Sequence, residues 1–219
     1  MPPNPDDLLV QLDSPELKDR KLALAALREV SPEQALPVIR KGLGDSNQQV
    51  RSMAIFALGL KPTDEGLELL LDLLENEPDY GVRADAAGAL GYLEDIRAFE
   101  PLTRSFYEDT HWLVRFSAAV SLGNLKDPRA RDTLLQALKS PEVVIQQAAI
   151  AALGEIRAVD TVNEILAFVT AEDWLVRQRL AEALGNLDTE KSRSALRYLA
   201  KDSHPNVAAA AAIAIQRFG

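Results

Sequence analysis

The sequence predicts an all-α protein: a right-handed α-solenoid of about seven two-helix repeats. The first observation is a ten-residue pattern, Val-Arg-x-x-Ala-x-x-Ala-Leu-Gly, which is clearest at 50–59 and recurs along the 219 residues. The second is its spacing, because the Arg position recurs in steps of 31, 32, 32, 31, 31 and 31 residues. A fixed period of this length is typical of stacked repeats. The Arg position is occupied in turn by Arg20, Arg51, Arg83, Arg115, Gln146, Arg177 and Ala208.

The ten-residue pattern predicts the second helix of each repeat, called helix B. Its apolar residues fall at positions one, five, eight and nine, which is a helical period and not a strand period. The recurring alanines are small, so that a neighbouring helix can approach closely. The glycine at position ten is expected to supply a left-handed turn that ends the helix.

A spaced apolar pair predicts the first helix of each repeat, helix A. An i, i+4 pair such as Leu70/Leu74 or Leu102/Phe106 begins 11 residues after each glycine. Ser14-Pro15-Glu16 and Ser31-Pro32-Glu33 are expected to open helices with a serine N-cap. Each hairpin needs the next one to cover its apolar face, so one domain, 1–219, is predicted. Its repeats are approximately 1–29, 30–60, 61–92, 93–124, 125–155, 156–186 and 187–219.

Composition limits the classes of function. The net charge of −9 argues against a nucleic-acid partner, which would favour a basic surface. The absence of cysteine excludes disulfides and thiolate chemistry. No apolar run approaches the length of a membrane span, and the start lacks the features of a signal peptide, so we expect a cytoplasmic protein.

The recurrent arginines are expected to be structural. Acidic residues precede several of them, including Asp45, Asp79, Asp109 and Asp173. A planar guanidinium with five donors suits bridging to a carboxylate or carbonyl of the neighbouring repeat, which predicts an inter-repeat ladder. The last repeat has Ala208 at this position and no polar cap. This predicts either marginal order or a contact with another chain, such as a homodimer through the C-terminal repeat.

A stripe of large apolar side chains predicts a groove for a ligand or partner. With the Val of Val-Arg as position 1, positions −1, 3 and 7 of helix B share one face. In the middle repeats this face carries Tyr80, Trp112, Val143 and Trp174 at −1, Phe116 at 3, and Phe56 and Val120 at 7. Exposed aromatic patches of this kind mark interaction sites. The alternative is that the rings cover gaps between repeats.

Polar side chains close to this stripe provide candidates for chemistry. Asp85 and His111 are the two weak catalytic candidates; Asp85 could instead pair with Arg83 or Arg115, and His111 could cap its helix. Arg115, Arg179 and Glu182 complete the predicted groove. The sequence has no phosphate-binding glycine loop, no HExxH, no GxSxG and no metal-spaced cluster, so no metal site is predicted.

The pattern and its 31-residue step resemble the short HEAT-like repeat of the phycobilin lyase and phycobilisome-degradation (NblB-type) family. This resemblance covers essentially the whole chain and implies a cyanobacterial protein that binds the phycobiliproteins phycocyanin and allophycocyanin. It implies assistance in detaching their bilin chromophores. No tightly bound cofactor is implied; a bilin such as phycocyanobilin would be held noncovalently, because the chain has no cysteine. Tyr80, Trp112 and Phe116 would stack on it, Arg115 would meet a propionate, and Asp85 would accept pyrrole N–H bonds.

Two functions remain open at this stage. The first is a bilin lyase-like protein that removes or transfers chromophore. The second is a noncatalytic adaptor whose groove only docks a protein partner. An acid–base pair within the groove would separate them, and only Asp85 and His111 are candidates for it.

Overall fold

The computed structural model describes residues 3–218, and this part of the chain is entirely helical. Within it, fourteen α-helices and four short 3-10 helices follow one another without a strand. The α-helices form seven successive A–B pairs, which confirms the predicted solenoid of about seven two-helix repeats. The chain divides into two compact units, Met1–Pro101 and Leu102–Gly219. The handedness and the single-domain assignment stay predictions.

The first unit contains three complete helix pairs. Its B helices, α2, α4 and α6, pack side by side, and the A helices α1, α3 and α5 pack against them. The helix bounds are Pro5–Gln11 (α1), Leu17–Ala26 (α2), Pro32–Leu43 (α3), Gln48–Leu60 (α4), Asp64–Asn76 (α5) and Tyr80–Leu93 (α6).

The second unit repeats the arrangement with shorter A helices. Its B helices pack in the order α8, α10, α12, α14. Two A helices, α9 and α11, have only 7 and 5 residues, and each follows a 3-10 turn. The bounds are Phe99–Glu108 (α7, which spans the unit boundary), Trp112–Asn124 (α8), Arg131–Ala137 (α9), Val143–Glu155 (α10), Val162–Leu166 (α11), Trp174–Leu184 (α12), Glu190–Leu199 (α13) and Pro205–Gln216 (α14).

The glycine of the repeat pattern does not supply a left-handed turn in the described repeats, contrary to the sequence-based expectation; Gly185 is the C-cap residue of α12, but its φ is −64°. Gly123 and Gly154 lie inside α8 and α10, and none of the described glycines has a positive φ. A Cβ on Gly123 would lie 2.6 Å from the Cβ of Ala152, and one on Gly154 would lie 2.7 Å from the Cα of Ala183. Glycine is needed because the next B helix packs directly against it. The left-handed residues come three positions later and are Glu94, Lys126 and Arg157.

One predicted helix start is correct and one is wrong. Ser31 is the N-cap of α3, with proline at the first helical position. Helix α2 begins only at Leu17, with Glu16 as its N-cap residue. The Ser14 hydroxyl instead accepts a hydrogen bond from the Glu16 N–H at 3.2 Å and donates one to Asp19 at 2.9 Å. Ser14 therefore closes the turn before the helix and not the helix itself.

The predicted arginine ladder is confirmed within both units. Arg177 donates to the carbonyls of Ala171 and Glu172 in its own repeat, and its Nε and Nη2 donate to the Asp202 carboxylate of the next repeat at 2.7 and 3.0 Å. Gln146, the substitute in repeat 5, reaches only the corresponding carbonyl, that of Ser140. The other ladder arginines also donate hydrogen bonds to two backbone carbonyls of their own repeat; they are Arg20, Arg51, Arg83 and Arg115.

The ladder arginines lower the pKa of the carboxyl groups to which they donate hydrogen bonds. The hydrogen bond from Arg177 is the main cause for Asp202, and its pKa lies below the ordinary value of 3.8. For Asp45, partial burial acts to raise the pKa, but the hydrogen bond from Arg20 and the Asn47 N–H outweigh it and the pKa is lowered. These carboxylates therefore stabilise the fold in their charged form.

Candidate functional site

A groove crosses the B helices of the second unit. Two adjoining cavities form it, one of about 290 Å³ reaching from α8 to α12 and one of about 550 Å³ reaching from α10 to α14. They share Ala151, Glu155 and Arg179 as lining residues. We call this feature the unit-2 groove. Its volume lies in the range that binds small organic ligands.

The repeat register builds the groove from equivalent positions. Positions 3 and 7 of each B helix are four residues apart and therefore point to one side. Position 11 continues this side as the last residue of α8 and α10 and lies just beyond the last helical residue of α12 and α14. Because the glycine–alanine contact recurs from one helix pair to the next, successive B helices keep the same register. The residues that line the groove from these positions are Phe116, Val120, Asn124, Gln147, Ala151, Glu155, Gln178, Glu182, Asn186, Ala209, Ile213 and Arg217.

The two ends of the groove differ in chemistry. Phe116 and Val120 form an apolar wall beside a floor of Ala148 and Ala151. Charged side chains lie toward α12 and α14, where Arg179 and Arg217 contribute the cations. A ligand that spans the groove would thus meet an apolar surface first and polar groups beyond it.

The charges of the groove are only partly compensated. Arg179 Nη1 donates to Glu182 Oε2 at 2.8 Å, and the Gln178 amide donates to the other oxygen of the same carboxylate at 2.8 Å. This ion pair is about two-fifths exposed and so contributes little to stability. Glu155, which lines both cavities, forms no ion pair or side-chain hydrogen bond with the residues that the structure describes. Its carboxylate is available to a ligand.

Both tryptophans lie outside the lining of this groove, at the N-terminal ends of α8 and α12. Trp112 is 42% exposed and Trp174 is 37% exposed, so neither ring is buried between repeats. Trp174 stacks on His204 with ring centroids 4.1 Å apart and an interplanar angle of 9°. Trp112 lies against His111 at 5.9 Å and 28°. Val143 occupies the same position in the repeat between them.

Two predicted groove residues and one catalytic candidate lie in the first unit. Tyr80 is exposed at the start of α6, and Phe56 is exposed on α4, where it meets the edge of Tyr92 at 5.7 Å. Asp85, half-buried on α6, accepts a hydrogen bond from the Ser52 hydroxyl at 2.5 Å. The carboxylate thus joins α4 to α6.

Two predicted site residues of the second unit have structural partners. Arg115 belongs to the ladder: it donates to the carbonyls of Asp109 and Thr110 and to the Glu142 carboxylate at 3.1 Å. His111 is the N-cap of α8, and its Nδ1 accepts from the Leu113 N–H at 3.2 Å. The capping alternative is therefore correct for His111.

Sequence reasoning missed the position-11 side chains. Glu155, Asn186 and Arg217 line the unit-2 groove, and Tyr92 is the exposed partner of Phe56 in the first unit. They lie four residues beyond position 7, so the helical period itself was the signal that could have found them. Placing the helix end at the glycine of position 10 removed them from consideration.

Within residues 3–218, no group of three or more metal-binding side chains comes together. In the same part of the chain, no helix combines the length and the apolar character that crossing a bilayer requires.

Comparison with known proteins identifies the class of protein. Models of HEAT repeats match residues 5–91, 67–144 and 132–216, which together cover nearly the whole chain. The chain therefore belongs to the HEAT-repeat family. A comparison with the curated proteins gives no match.

Among solved structures, the chain is similar to the complex of CpcE and CpcF of phycocyanin lyase from a Nostoc species. The identity is 27%, the TM-score is 0.65, and the match covers 83% of this chain and 74% of that one. An engineered protein matches with 19% identity, a TM-score of 0.55 and coverage of 98% and 96%. Human deoxyhypusine hydroxylase matches with 19% identity, a TM-score of 0.47 and coverage of 98% and 95%.

Proposed function

We propose that this protein binds phycobiliproteins and assists the detachment of their bilin chromophores, in the manner of NblB-type proteins. Two findings support the proposal. The fold and 27% of the matched sequence are shared with a phycocyanin lyase complex. The unit-2 groove joins an apolar wall to charged groups, which is the combination that a bilin requires.

The observation that carries the proposal is the placing of Phe116 and Val120 in line with Arg179 and Glu155. A bilin is a flat, apolar tetrapyrrole with two propionates and several N–H groups. Phe116 would stack on a pyrrole ring, Arg179 would meet a propionate, and the Glu155 carboxylate would accept pyrrole N–H bonds. Phycocyanobilin would be held noncovalently, because the chain has no cysteine.

Phe116 is retained from the first expectation, whereas Arg179 and Glu155 replace Arg115 and Asp85. Asp85 is hydrogen-bonded to Ser52, and Arg115 is held by two carbonyls and Glu142. Each would have to give up these partners before it could bind a ligand. Glu155 has no such partner among residues 3–218, and Arg179 would exchange a partly exposed ion pair for a propionate.

Incubation with purified phycocyanin tests the proposal. We expect loss of the chromophore absorbance of phycocyanin and the appearance of free or noncovalently bound bilin. Allophycocyanin provides the parallel substrate. The matched control is the Phe116→Ala variant, which should slow the loss because the apolar wall is shortened. Unchanged absorbance in the presence of excess protein would contradict chromophore detachment.

The second candidate is a noncatalytic adaptor that docks a phycobiliprotein. The two residues that were candidates for an acid–base pair both have structural partners: Asp85 accepts a hydrogen bond from Ser52, and His111 caps α8. This favours an adaptor without catalytic activity. In the same incubation, an adaptor would form a complex with phycocyanin that can be isolated by gel filtration while the absorbance stays unchanged.

The homodimer through the C-terminal repeat stays a prediction. Ala181 and Leu184 of α12 are fully buried, whereas the equivalent residues of α14, Ala212 and Ile215, are exposed and half-buried. A second copy that covered this face would double the mass found by light scattering. The Ile215→Lys variant would then be monomeric.

A further inference from the structure

A row of exposed apolar side chains lies at the N-terminal ends of the B helices of the second unit. We call Trp112, Val143, Val144 and Trp174 the tryptophan rim. Their exposed fractions are 42%, 42%, 38% and 37%. The common register of α8, α10 and α12 places the rim residues in sequence along one edge. None of the four is among the residues that line the unit-2 groove, so the rim is a separate surface.

The tryptophan rings of the rim are held by their neighbours. Trp174 is stacked on His204 at 4.1 Å and nearly parallel to it, so that one face of the indole is covered. Trp112 lies beside His111, its neighbour in sequence, with ring centroids 5.9 Å apart and an interplanar angle of 28°. Fixing a ring before binding lowers the conformational entropy that a partner must overcome. Exposed tryptophans of this kind are the side chains that dominate the affinity of protein interfaces.

The surroundings of the rim are acidic. The turns that precede α8, α10, α12 and α14 carry five carboxylates and two lysines, and Glu108 ends α7 just before the first of these turns. Glu142 and Asp202 are already held by the ladder arginines Arg115 and Arg177. The carboxylates are Glu108, Asp109, Glu142, Glu172, Asp173 and Asp202.

The N-terminal N–H groups of α8 and α12, two of the three rim helices, already have partners within the chain. The Leu113 N–H donates to His111, and the Leu175 N–H donates to Asp173. An anionic ligand would find these donors occupied. A cation, by contrast, would gain from the exposed carboxylates of Glu108 and Glu172 and from the exposed indole rings, through cation–π contact.

We propose that the tryptophan rim binds a basic, apolar segment of a partner protein. Adjacent packed helices lie about 8–10 Å apart, so the two tryptophans, two helices apart, are separated by roughly 16–20 Å. An extended segment covers this distance in about five or six residues. Val143 and Val144 lie between the tryptophans and receive apolar side chains, and the exposed carboxylates of Glu108 and Glu172 pair with lysine or arginine. The net charge of −9 steers such a segment toward the surface.

Tryptophan fluorescence offers a direct test, because both tryptophans of the chain lie on the rim. The probe is a fluorescein-labelled peptide of about 15 Leu-Lys-Gly repeat residues, long enough to span the rim. Its matched control replaces each lysine with glutamate. We expect saturable binding of the lysine peptide, seen both as a change in tryptophan emission and as peptide anisotropy, and no binding of the glutamate peptide. Equal binding of both peptides would overturn the proposal.

Variants locate the binding. The Trp112→Ala/Trp174→Ala variant should bind the lysine peptide at least about tenfold more weakly. Val143→Lys, a change at an exposed position, should weaken binding through charge repulsion while leaving both tryptophans in place. Tyr198→Ala removes an even more exposed ring from α13, and Phe116→Ala shortens the groove wall; both variants should bind the lysine peptide like the wild type. Binding within twofold of the wild type in both rim variants would refute the rim as the site. Loss in Phe116→Ala would place the peptide in the groove instead.

Discussion

At the residue scale, the position-10 glycine of four repeats sets how closely neighbouring B helices pack; these residues are Gly59, Gly123, Gly154 and Gly185. The Cβ position of Gly123 falls 2.6 Å from the Cβ and 2.8 Å from the Cα of Ala152, where no side chain fits without a backbone shift. Gly88, on α6, has no atom within 4 Å of the same position. Substituting each glycine with alanine therefore measures two effects separately: steric crowding at Gly123, and the low helix propensity of glycine at Gly88.

We predict opposite effects for alanine at these two sites. Gly123→Ala should lower the free energy of unfolding by about 1–3 kcal/mol, because the added methyl overpacks the α8–α10 contact. Gly88→Ala should raise it by about 0.5–1 kcal/mol, because alanine is the better helix former and has room. Urea unfolding monitored by circular dichroism measures both. A stabilised Gly123→Ala would disprove the packing role of this glycine.

The Asp202 carboxylate of the ladder makes the free energy of unfolding depend on pH. The pKa of Asp202 is lowered in the folded state by the hydrogen bond from Arg177. Its contribution is therefore present above the ordinary pKa of 3.8 and is lost as the pH falls through the lower folded-state value. Asp202→Asn should unfold more easily near pH 7, by about 1.5–3 kcal/mol. Its stability should then fall less steeply below about pH 4 than that of the wild type. Parallel acid-unfolding curves for the two proteins would exclude this linkage.

At the element scale, the sequence predicted the hairpins well because burial follows the helical period. Val114, Ala118 and Leu122 of α8 are fully buried, as positions 1, 5 and 9 require. The ladder was also predictable, since guanidinium groups at a fixed repeat position have few other partners. The role of the position-10 glycine was not predictable. Glycine is favoured both at helix ends and where two helices pack closely, and a single sequence does not distinguish these two roles.

That error extended to the site. Ending each B helix at position 10 excluded position 11, although α8 continues to Asn124 and α10 to Glu155. The predicted stripe of positions −1, 3 and 7 thus included Phe116 and Val120, which do line the groove. It also included Trp112 and Trp174, which do not. Those rings lie at the helix starts and form a second surface.

Helix α10 lies in the middle of the unit-2 groove, and a large side chain placed on it should weaken ligand binding. Ala151 lines both cavities and is half-buried. Ala151→Trp should occupy much of the shared space and reduce phycocyanobilin affinity at least about tenfold, without removing any polar group. Equilibrium titration followed by bilin absorbance gives the affinity. The exposed residue Ala209 provides a comparison at the far end of the larger cavity, where Ala209→Ser should bind as the wild type does.

At the scale of the whole molecule, the seven hairpins are variations of one shape, and function depends on which side chains each repeat places at the shared positions. HEAT repeats alone do not select a ligand, since fold does not determine function. What distinguishes this chain is an apolar wall, an unpaired carboxylate and two arginines along one groove of the second unit. The tryptophan rim adds a separate surface for a protein partner.

The most direct test of the groove is a phycocyanobilin titration of four proteins. We predict that the wild type and Tyr198→Ala bind with the same affinity, because Tyr198 lies on α13 outside the groove. Phe116→Ala and Glu155→Gln should each bind at least about tenfold more weakly, since one loses ring stacking and the other a charged acceptor. If all four proteins bind phycocyanobilin equally, or if none of them binds it, the unit-2 groove is not a bilin site.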